Sequence, residues 1–340
     1  MDEDYTFYKW KKRGVGKGHS KTGRRAGWTK KYYFEQDLLT KFVNEMKPKA
    51  FKARFAGYRP EEINWFFQKI KNSAIRPKET EVHCRNKLLM WIDKLHNCLS
   101  YHQINDKYQI GVATAKSHID DILKAIIKSF RGTNVVSLPT LDQRLQMVKI
   151  LKQKGAPMPD AIFSVDGSHT RCTGRDIQER VSHKYRWLPC FNVMFLIERV
   201  FGTIVAFSLD PAATKHDIKV LKESWFGREL DEVMDGWIIL ADKGYIGYKG
   251  KCVAPVLRLN MKERKAYSKN YWYNFNVARS DVERIFGDFF YNKFKQLGKW
   301  TGKSLTTFTE FSANVICCII LYISIKMNFR QTNFLLRQNK

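Results

Sequence analysis

The chain has 340 residues, of which 44% are hydrophobic and 14% aromatic, and its formal net charge is +27. This size and composition exclude a wholly disordered chain and allow two or three domains with at least one sizeable core. So large a basic excess indicates a polyanionic partner, because each neutralised phosphate releases condensed counterions, and the lack of a basic amphipathic anchor favours nucleic acid over a membrane surface.

Residues 1–59 are predicted to form a basic flexible arm. They are rich in Lys, Arg and Gly, most clearly over residues 9–27 (KWKKRGVGKGHSKTGRRAG), and show no apolar periodicity. Such an arm would grip DNA, carry a nuclear address or be a solvated tail, and the sequence favours none of the three.

Residues 60–137 are predicted to form a helical domain. One helix is expected over residues 87–99, because five apolar side chains share a face there: Leu88, Leu89, Trp91, Ile92 and Leu95. A second helix is expected over residues 101–107 and a third over residues 112–130, with a glycine-containing turn between them.

The last two of these helices match the helix-turn-helix pattern, in which the second helix enters the major groove by its N-terminal end. Thr114, Lys116 and Ser117 are predicted to face outward there, together with His118, and the first three are candidate DNA contacts. Packing of three helices without DNA is the alternative, and from this stretch alone the safer one. The surrounding positive charge favours DNA binding.

Residues 138–328 are predicted to form a mixed α/β domain, followed by a C-terminal tail over residues 329–340. Short apolar or alternating runs, typical of strands, cover residues 161–165, 185–188, 191–197, 203–209 and 237–241. A helix is expected over residues 216–224, and helices resume near residue 278. Strands followed by a helix and a further strand indicate a mixed sheet with helices on its faces.

The most apolar run of the chain covers residues 313–325. It is shorter than a bilayer requires and is predicted to be a buried helix. The seven cysteines are scattered, with no CxxC spacing, which argues against a disulfide framework and fits a reducing compartment.

Two aspartates directly follow predicted strands, Asp166 after residues 161–165 and Asp242 after residues 237–241. Strand ends are the favoured place for ligands in open α/β sheets. A carboxylate at the end of a buried strand is costly unless its charge is compensated, and a metal ion would do so. Either aspartate alone is more simply explained as a cap of the following turn.

Glu283 is the third acidic candidate. It borders the buried stripe of a predicted helix and shares a face with Arg279, one turn earlier. A surface ion pair with Arg279 or Arg284 is the alternative. Three carboxylates from two strand ends and a helix suit two Mg²⁺ or Mn²⁺ ions better than zinc, because their oxygens are hard ligands.

Four sequence blocks resemble, in order, the catalytic core of Harbinger/IS5-like DDE transposases: SVDGSHTRC, TKHDIKVLKES, LADKGYIGYKGKCVAP and ARSDVERIFGDFFYNKFKQL. The resemblance covers about residues 138–328. It implies an RNase H-like fold in which Asp166, Asp242 and Glu283 are the catalytic, metal-binding triad. Arg279 and Arg284 match the family's last block, and His216 with Asp217 matches a His-Asp pair that supports the site.

The resemblance implies a transposase that cuts DNA at transposon ends and joins the freed 3′-OH to target DNA with two divalent ions. A domesticated, non-catalytic DNA-binding or regulatory protein is the alternative. DNA is the expected partner, with a homodimer or larger assembly, an accessory Myb-like protein in some relatives, and no membrane. The expected location is the nucleus in a eukaryote, or the cytoplasm and nucleoid in a prokaryote.

Overall fold

The structure is a computed structural model, and it describes residues 34, 36–173, 181–182, 188–211, 213–233, 237–248, 253–255, 269–301 and 306–338. Seven helices come first along this part of the chain: α1 (Leu38–Glu45), α2 (Pro48–Arg54), α3 (Pro60–Ala74), α4 (Glu81–Asn97), α5 (Tyr101–Tyr108), α6 (Val112–Phe130) and α7 (Leu141–Gln153).

Capping side chains fix where several of these helices begin. Asp37 accepts a hydrogen bond from the Thr40 amide at the start of α1, and Thr80 does the same for α4. Ser100 and Gln103 form a capping box at the start of α5. Each cap satisfies an amide that has no partner within its own helix, so these starts are encoded locally.

The prediction that residues up to 59 form a flexible arm is wrong for the described part of that segment. Residues 38–45 and 48–54 are helical, and four aromatic side chains there are buried in the core: Phe34, Phe42, Phe51 and Phe55. The two helices are too short for a clear period, so their apolar residues look scattered among the lysines. Residues 1–33 lie outside the described residues.

Helix α4 is buried on every side, whereas the sequence predicts an amphipathic helix. Its polar residues Asn86, Lys87, Asp93, Lys94 and His96 are all buried. Helices α1, α2, α3, α5, α6 and α11 (Lys295–Gly298) contact it and cover its polar face as well as its apolar one. The polar side chains therefore need partners inside the protein.

Helices α5 and α6 lie where the sequence predicts them. The turn between them begins at Gln109, which has the left-handed φ of 55°, and α6 begins after Gly111. Ala115, Ile119 and Ile122 face the core, as expected. The helical geometry of the segment is therefore as predicted, and its role in DNA binding stays a prediction.

The second half of the chain is built around a sheet. Its strands are β1 (Phe163–Thr173), β2 (Val181–Ser182), β3 (Leu188–Glu198), β4 (Thr203–Asp210), β5 (Ile239–Ala241), β6 (Val253–Pro255) and β7 (Lys299–Thr301). Its remaining helices are α8 (Asp217–Glu223), α9 (Trp225–Val233), α10 (Lys269–Phe286), which continues as a π-helical turn (Gly287–Lys293), α11, and α12 (Thr306–Gln338).

The main strands lie in the order β4-β3-β1-β5-β6. Strands β4, β3 and β1 are antiparallel neighbours, while β1, β5 and β6 are parallel. This order, with helices after β4 and after β6, is the RNase H-like arrangement that the resemblance implies. The short strand β2 extends β3, and β7 pairs with the far end of β1. Residues 185–187, part of one predicted strand, lie outside the described residues.

Asp166 lies inside a strand and not at its end. Strand β1 continues to Thr173 because β3 pairs with it from Phe163 to Arg171, and β7 pairs with it from Arg171 to Thr173. The polar residues after Val165 hid this continuation in the sequence. Asp242, by contrast, directly follows β5 as predicted.

The helical half and the sheet share one core. Phe191, Val193, Phe195 and Ile197 of β3 pack in the same cluster as the side chains of α3, α4 and α6. The opposite face of the sheet packs against α8 and α9 in a second cluster. The predicted boundary at residues 137/138 therefore does not separate two independent cores.

Helix α12 is longer than the predicted buried segment. It runs without Gly or Pro to Gln338, so the predicted tail is helical as far as that residue. Its stretch Phe308–Asn328 is long and apolar enough to cross a membrane, which corrects the expectation that it is too short, but 67% of it is buried inside the protein. It packs against α6, α3 and β4 as a core helix.

Candidate active site

Parallel pairing brings Asp166 and Asp242 side by side. Strand β1 pairs with β5 at Ser164 opposite Leu240, and the two aspartates stand two residues further along their strands. The Gly167 amide donates to Asp166 Oδ1 at 2.8 Å, and the Gly244 amide donates to Asp242 Oδ1 at 2.6 Å. Both carboxylates are half-buried.

Asp217 approaches the same place from helix α8. A Cβ added to Gly167 would lie 2.6 Å from Asp217 Oδ1. A Cβ added to Gly244 would lie 3.1 Å from Asp217 Oδ2 and 2.8 Å from Asp242 Oδ1. A side chain at either glycine would therefore displace these carboxylates from their present positions.

The three aspartates enter from two sides of the sheet. Val165 packs in the cluster that contains α8, so Gly167, two residues later on the strand, faces α8 as well. Asp166 faces the other side, where Leu240 packs against Phe275 and Ala278 of α10. Because Gly167 has no side chain, the Asp217 carboxylate can approach Asp166 and Asp242 from the α8 side of the sheet.

The three negative charges act on one another. Burial, followed by the charges of Asp242 and Asp217, raises the pKa of the Asp166 carboxyl to about 7, while the Gly167 amide and the Arg279 charge oppose the shift. A carboxyl that is protonated near neutral pH is poised to lose its proton to a cation.

Two buried polar side chains beside the aspartates lack hydrogen bonds within the described structure. Asn192 of β3 is fully buried, neither of its amide atoms has a partner, and its Oδ1 lies 3.4 Å from the Cβ position of Gly167. The buried Tyr245 hydroxyl is also unpaired, and its pKa is raised well above its usual value by burial and then by Asp217, Asp166 and Asp242.

Glu283 does not join the three aspartates directly. Arg279 Nη2 donates to Glu283 Oε1 at 2.6 Å, and the Glu283 side chain is 52% exposed. Arg279 links it to the site, because the arginine's charge lowers the pKa of Asp166. The sequence alternative of an ion pair with Arg279 is therefore the arrangement seen.

The other supporting residues lie further out. Arg284 pairs with Asp281 and is 74% exposed, and both border a cavity that Arg199 also lines. His216 is exposed and precedes α8 as its N-cap without a side-chain hydrogen bond to the helix. Of the predicted supporting residues, the structure brings Asp217 and Arg279 to the aspartates.

The predicted DNA-reading residues lie on the surface of α6. Thr114, Lys116 and Ser117 are exposed, and Lys116 Nζ lies 3.4 Å from Glu310 Oε1 of α12. His118, predicted to face outward, is partly buried and stacks on Phe34 with ring centroids 5.2 Å apart. Residue 34 was placed in the arm, so its contact with α6 was not foreseen.

The side chains around Asp166 and Asp242 fit a hard divalent cation. Carboxylate oxygens are the ligands that Mg²⁺ and Mn²⁺ prefer, and the two glycines leave the space that a side chain would fill. Among the described residues, no three His, Cys, Asp or Glu side chains already enclose such an ion. A cation would therefore have to draw the carboxylates together, against their mutual repulsion in its absence.

The sequence did not identify Asn192 or Tyr245. Asn192 is the single polar residue of the apolar run CFNVMFLI, which is a signal that sequence reasoning can use. Tyr245 stands three residues after Asp242 in DKGY, but nothing in the sequence tells that its hydroxyl is buried.

A family model described as "Transposase DDE domain" matches residues 157–321, a range that contains all three aspartates, Arg279 and Glu283. No curated protein and no solved structure has significant similarity to the chain. The matched range coincides with the RNase H-like sheet and the helices around it. Residues 157–321, slightly less than half of the chain, are therefore similar to a transposase DDE domain.

Proposed function

We propose that this chain is a DNA transposase of the Harbinger/IS5-like type, which cuts phosphodiester bonds at transposon ends and joins the freed 3′-OH to target DNA. The observation that carries the proposal is the pairing of Asp166 with Asp242 on adjoining parallel strands inside the region similar to a transposase DDE domain. Asp166, Asp242 and Glu283 are the proposed catalytic residues and metal ligands.

Two Mg²⁺ or Mn²⁺ ions, when bound, would activate the attacking oxygen and stabilise the leaving oxygen. In the first step water attacks phosphorus and the bond to the 3′ oxygen breaks, giving a 3′-OH and a 5′-phosphate. In the second step that 3′-OH attacks a target phosphodiester, and the target's own 3′ oxygen leaves with a proton. The chain supplies the carboxylates that hold and orient these groups.

Glu283 has to leave Arg279 in order to complete the triad. Glu283 is half exposed in this ion pair, so the free energy of the pair is small, about 0.5 kcal/mol. A divalent cation attracts the carboxylate more strongly than this pair does. Arg279 would then be free to contact a phosphate of the DNA.

Binding to DNA is supported by the charge of +27 and by the exposed helix α6. Thr114, Lys116 and Ser117 are the proposed DNA contacts. Cutting both ends of an element calls for a homodimer or larger assembly, with a Myb-like accessory protein as a further candidate partner. The nucleus, or the nucleoid of a prokaryote, is the proposed location.

The test uses DNA that carries the inverted repeats flanking the encoding element. Full-length wild-type protein is expected to nick this DNA in Mg²⁺ or Mn²⁺ and not in EDTA. Asp242→Asn is expected to lower the rate at least about a thousandfold, since a metal ligand is lost. Equal nicking by both proteins would contradict the assignment of Asp242, and nicking in EDTA would contradict the mechanism.

The alternative is a non-catalytic DNA-binding protein derived from a transposase. The Arg279–Glu283 ion pair and the lack of an assembled cation site among the described residues favour it. It predicts salt-sensitive DNA binding without strand cleavage, unchanged in Asp166→Asn, Asp242→Asn and Glu283→Gln. Metal titrations of the same variants distinguish the two functions.

A further inference from the structure

Asp217 lies closer to the paired aspartates than a residue that only supports the site would need to lie. Its two carboxylate oxygens lie against two different glycines, Oδ1 at Gly167 and Oδ2 at Gly244. A Cβ atom on Gly244 would lie 3.1 Å from Asp217 Oδ2 and 2.8 Å from Asp242 Oδ1. The two carboxylates therefore face the same small space beside this glycine. In the absence of a cation this arrangement is repulsive.

Asn192 supplies an independent observation that a ligand belongs here. Its side chain is fully buried, and both amide atoms lack a hydrogen-bond partner within the described structure. A Cβ atom on Gly167 would lie 3.4 Å from Asn192 Oδ1 and 2.6 Å from Asp217 Oδ1. A buried unpaired amide is destabilising, and such groups are rare unless a ligand or another state satisfies them.

Resting on the function proposed above, we infer that Asp217 is a direct ligand, shared with Asp242, of one of the two divalent cations, and that Asn192 is its positioning residue. Rotation of the Asn192 amide presents Nδ2 to Asp217 Oδ1. That hydrogen bond leaves Oδ2 directed to the cation beside Asp242. The site then has four carboxylates, with Asp217 entering from the α8 face and Glu283 from the α10 face.

A purely structural role for Asp217 makes the opposite prediction for stability. An acidic residue in the first turn of α8 would stabilise the helix dipole, so its neutralisation would destabilise the protein. If Asp217 is a cation ligand, its neutralisation instead relieves repulsion in the metal-free protein. Stability without metal therefore separates the two roles, independently of catalysis.

The experiment measures Mn²⁺ binding to the full-length chain without DNA, by titration calorimetry and by the electron paramagnetic resonance signal of free Mn²⁺. Asp217→Asn is expected to weaken binding at least tenfold, as Asp242→Asn does. Asn192→Leu is expected to weaken it about tenfold, the usual effect of removing a residue that orients a ligand. Glu223→Gln, at the exposed end of the same helix, is the matched control and should bind as the wild type does.

Thermal unfolding in EDTA provides the second measurement. Asp217→Asn should melt at or above the wild-type temperature, and Mn²⁺ should raise its melting temperature less than that of the wild type. Tight Mn²⁺ binding by Asp217→Asn beside weak binding by Asp242→Asn would overturn the assignment of Asp217 and leave the proposed function standing. A lowered melting temperature of Asp217→Asn in EDTA would also overturn it, in favour of the structural role. If the wild type binds no Mn²⁺, both the inference and the proposed metal-dependent function fail.

Discussion

The helical half and the active site both contain buried polar side chains, but these side chains differ in whether they have hydrogen-bond partners within the protein. The fully buried polar residues of α4 have partners within the protein: Asp93, for example, accepts hydrogen bonds from Tyr108 and Asn97 and pairs with Lys107 and Arg54. At the sheet edge Asn192 and Tyr245 have none in the described structure, and three aspartates crowd together. The fold itself satisfies these polar residues of α4, whereas the unpaired groups of Asn192 and Tyr245 are available to a ligand.

The largest expected effect comes from the same substitution made in each half. Asp93→Asn should lower the free energy of unfolding by about 4 kcal/mol, because it breaks the ion pairs of the buried Asp93 with the partly buried Arg54 and Lys107. Asp242→Asn should not lower it in metal-free buffer, since it removes a repelling charge. Urea denaturation in EDTA measures both. A loss of stability in Asp242→Asn as large as that in Asp93→Asn would remove the contrast.

Two buried asparagines provide a second matched pair. Asn86 accepts from the Leu38 amide and donates to the carbonyls of Phe34 and Gln36, so Asn86→Leu should cost about 3 kcal/mol. Asn192→Leu should stabilise the metal-free protein by about 1 kcal/mol, because no hydrogen bond is lost. Denaturation curves of the two variants should thus shift in opposite directions, and shifts in the same direction would contradict the contrast.

Asp166 makes the free energy of unfolding depend on pH. Its pKa is about 7 in the folded protein against 3.8 for the free carboxyl, so the folded state binds the proton more tightly. Its contribution to stability is therefore full below about pH 4 and is lost as pH rises to about 7.

Asp166→Asn removes this loss. The free energy of unfolding of Asp166→Asn, relative to the wild type in EDTA, should accordingly rise by about 3 kcal/mol between pH 4.5 and 7.5. Glu223→Gln serves as the control, because its carboxylate is exposed. A difference that stays constant over this pH range would show that the Asp166 carboxyl is not perturbed.

The smallest expected effect concerns the surface of the helical half, where function would depend on exposed groups. Lys116→Ala should weaken DNA binding about threefold and reduce the salt dependence by about one ion, if Lys116 contacts a phosphate. Lys124→Ala makes the same charge change further along α6 and should have less effect. Equal losses in both variants would indicate that α6 contributes only its overall charge.

Local signals determined a large part of the fold. The glycine-containing turn before Val112 placed α5 and α6 correctly from the sequence alone, and the structure adds the capping box of Ser100 and Gln103. The apolar runs of β3, β4 and β5 were also recognised. Hydrogen-bond caps and periodicity depend on residues a few positions apart, so these elements could be predicted.

The site was predicted in part for the same reason. Asp242 stands at a strand end that the run WIILA marks, and the ordered blocks identified Asp166 and Glu283 as candidates. The sequence did not reveal that Arg279 holds Glu283 or that β1 continues past Asp166. Either ion pair of Glu283 was compatible with its helix. The extent of β1 depends on its pairing with β3 and β7, which the sequence of β1 does not show.

The sequence by itself determined the kind of protein: a basic chain with a helical first half and a mixed α/β domain that carries acidic residues in transposase order. Only the tertiary structure decided which polar groups are satisfied and which await a ligand. Asp217 and Asn192 meet beside Gly167 through pairing and packing of elements that are well separated along the chain. Periodicity tells which face of an element is apolar, but the residue that covers a given face is fixed by the packing of the whole chain. The structure thus adds Asp217 to the acidic triad that the sequence proposed for the site.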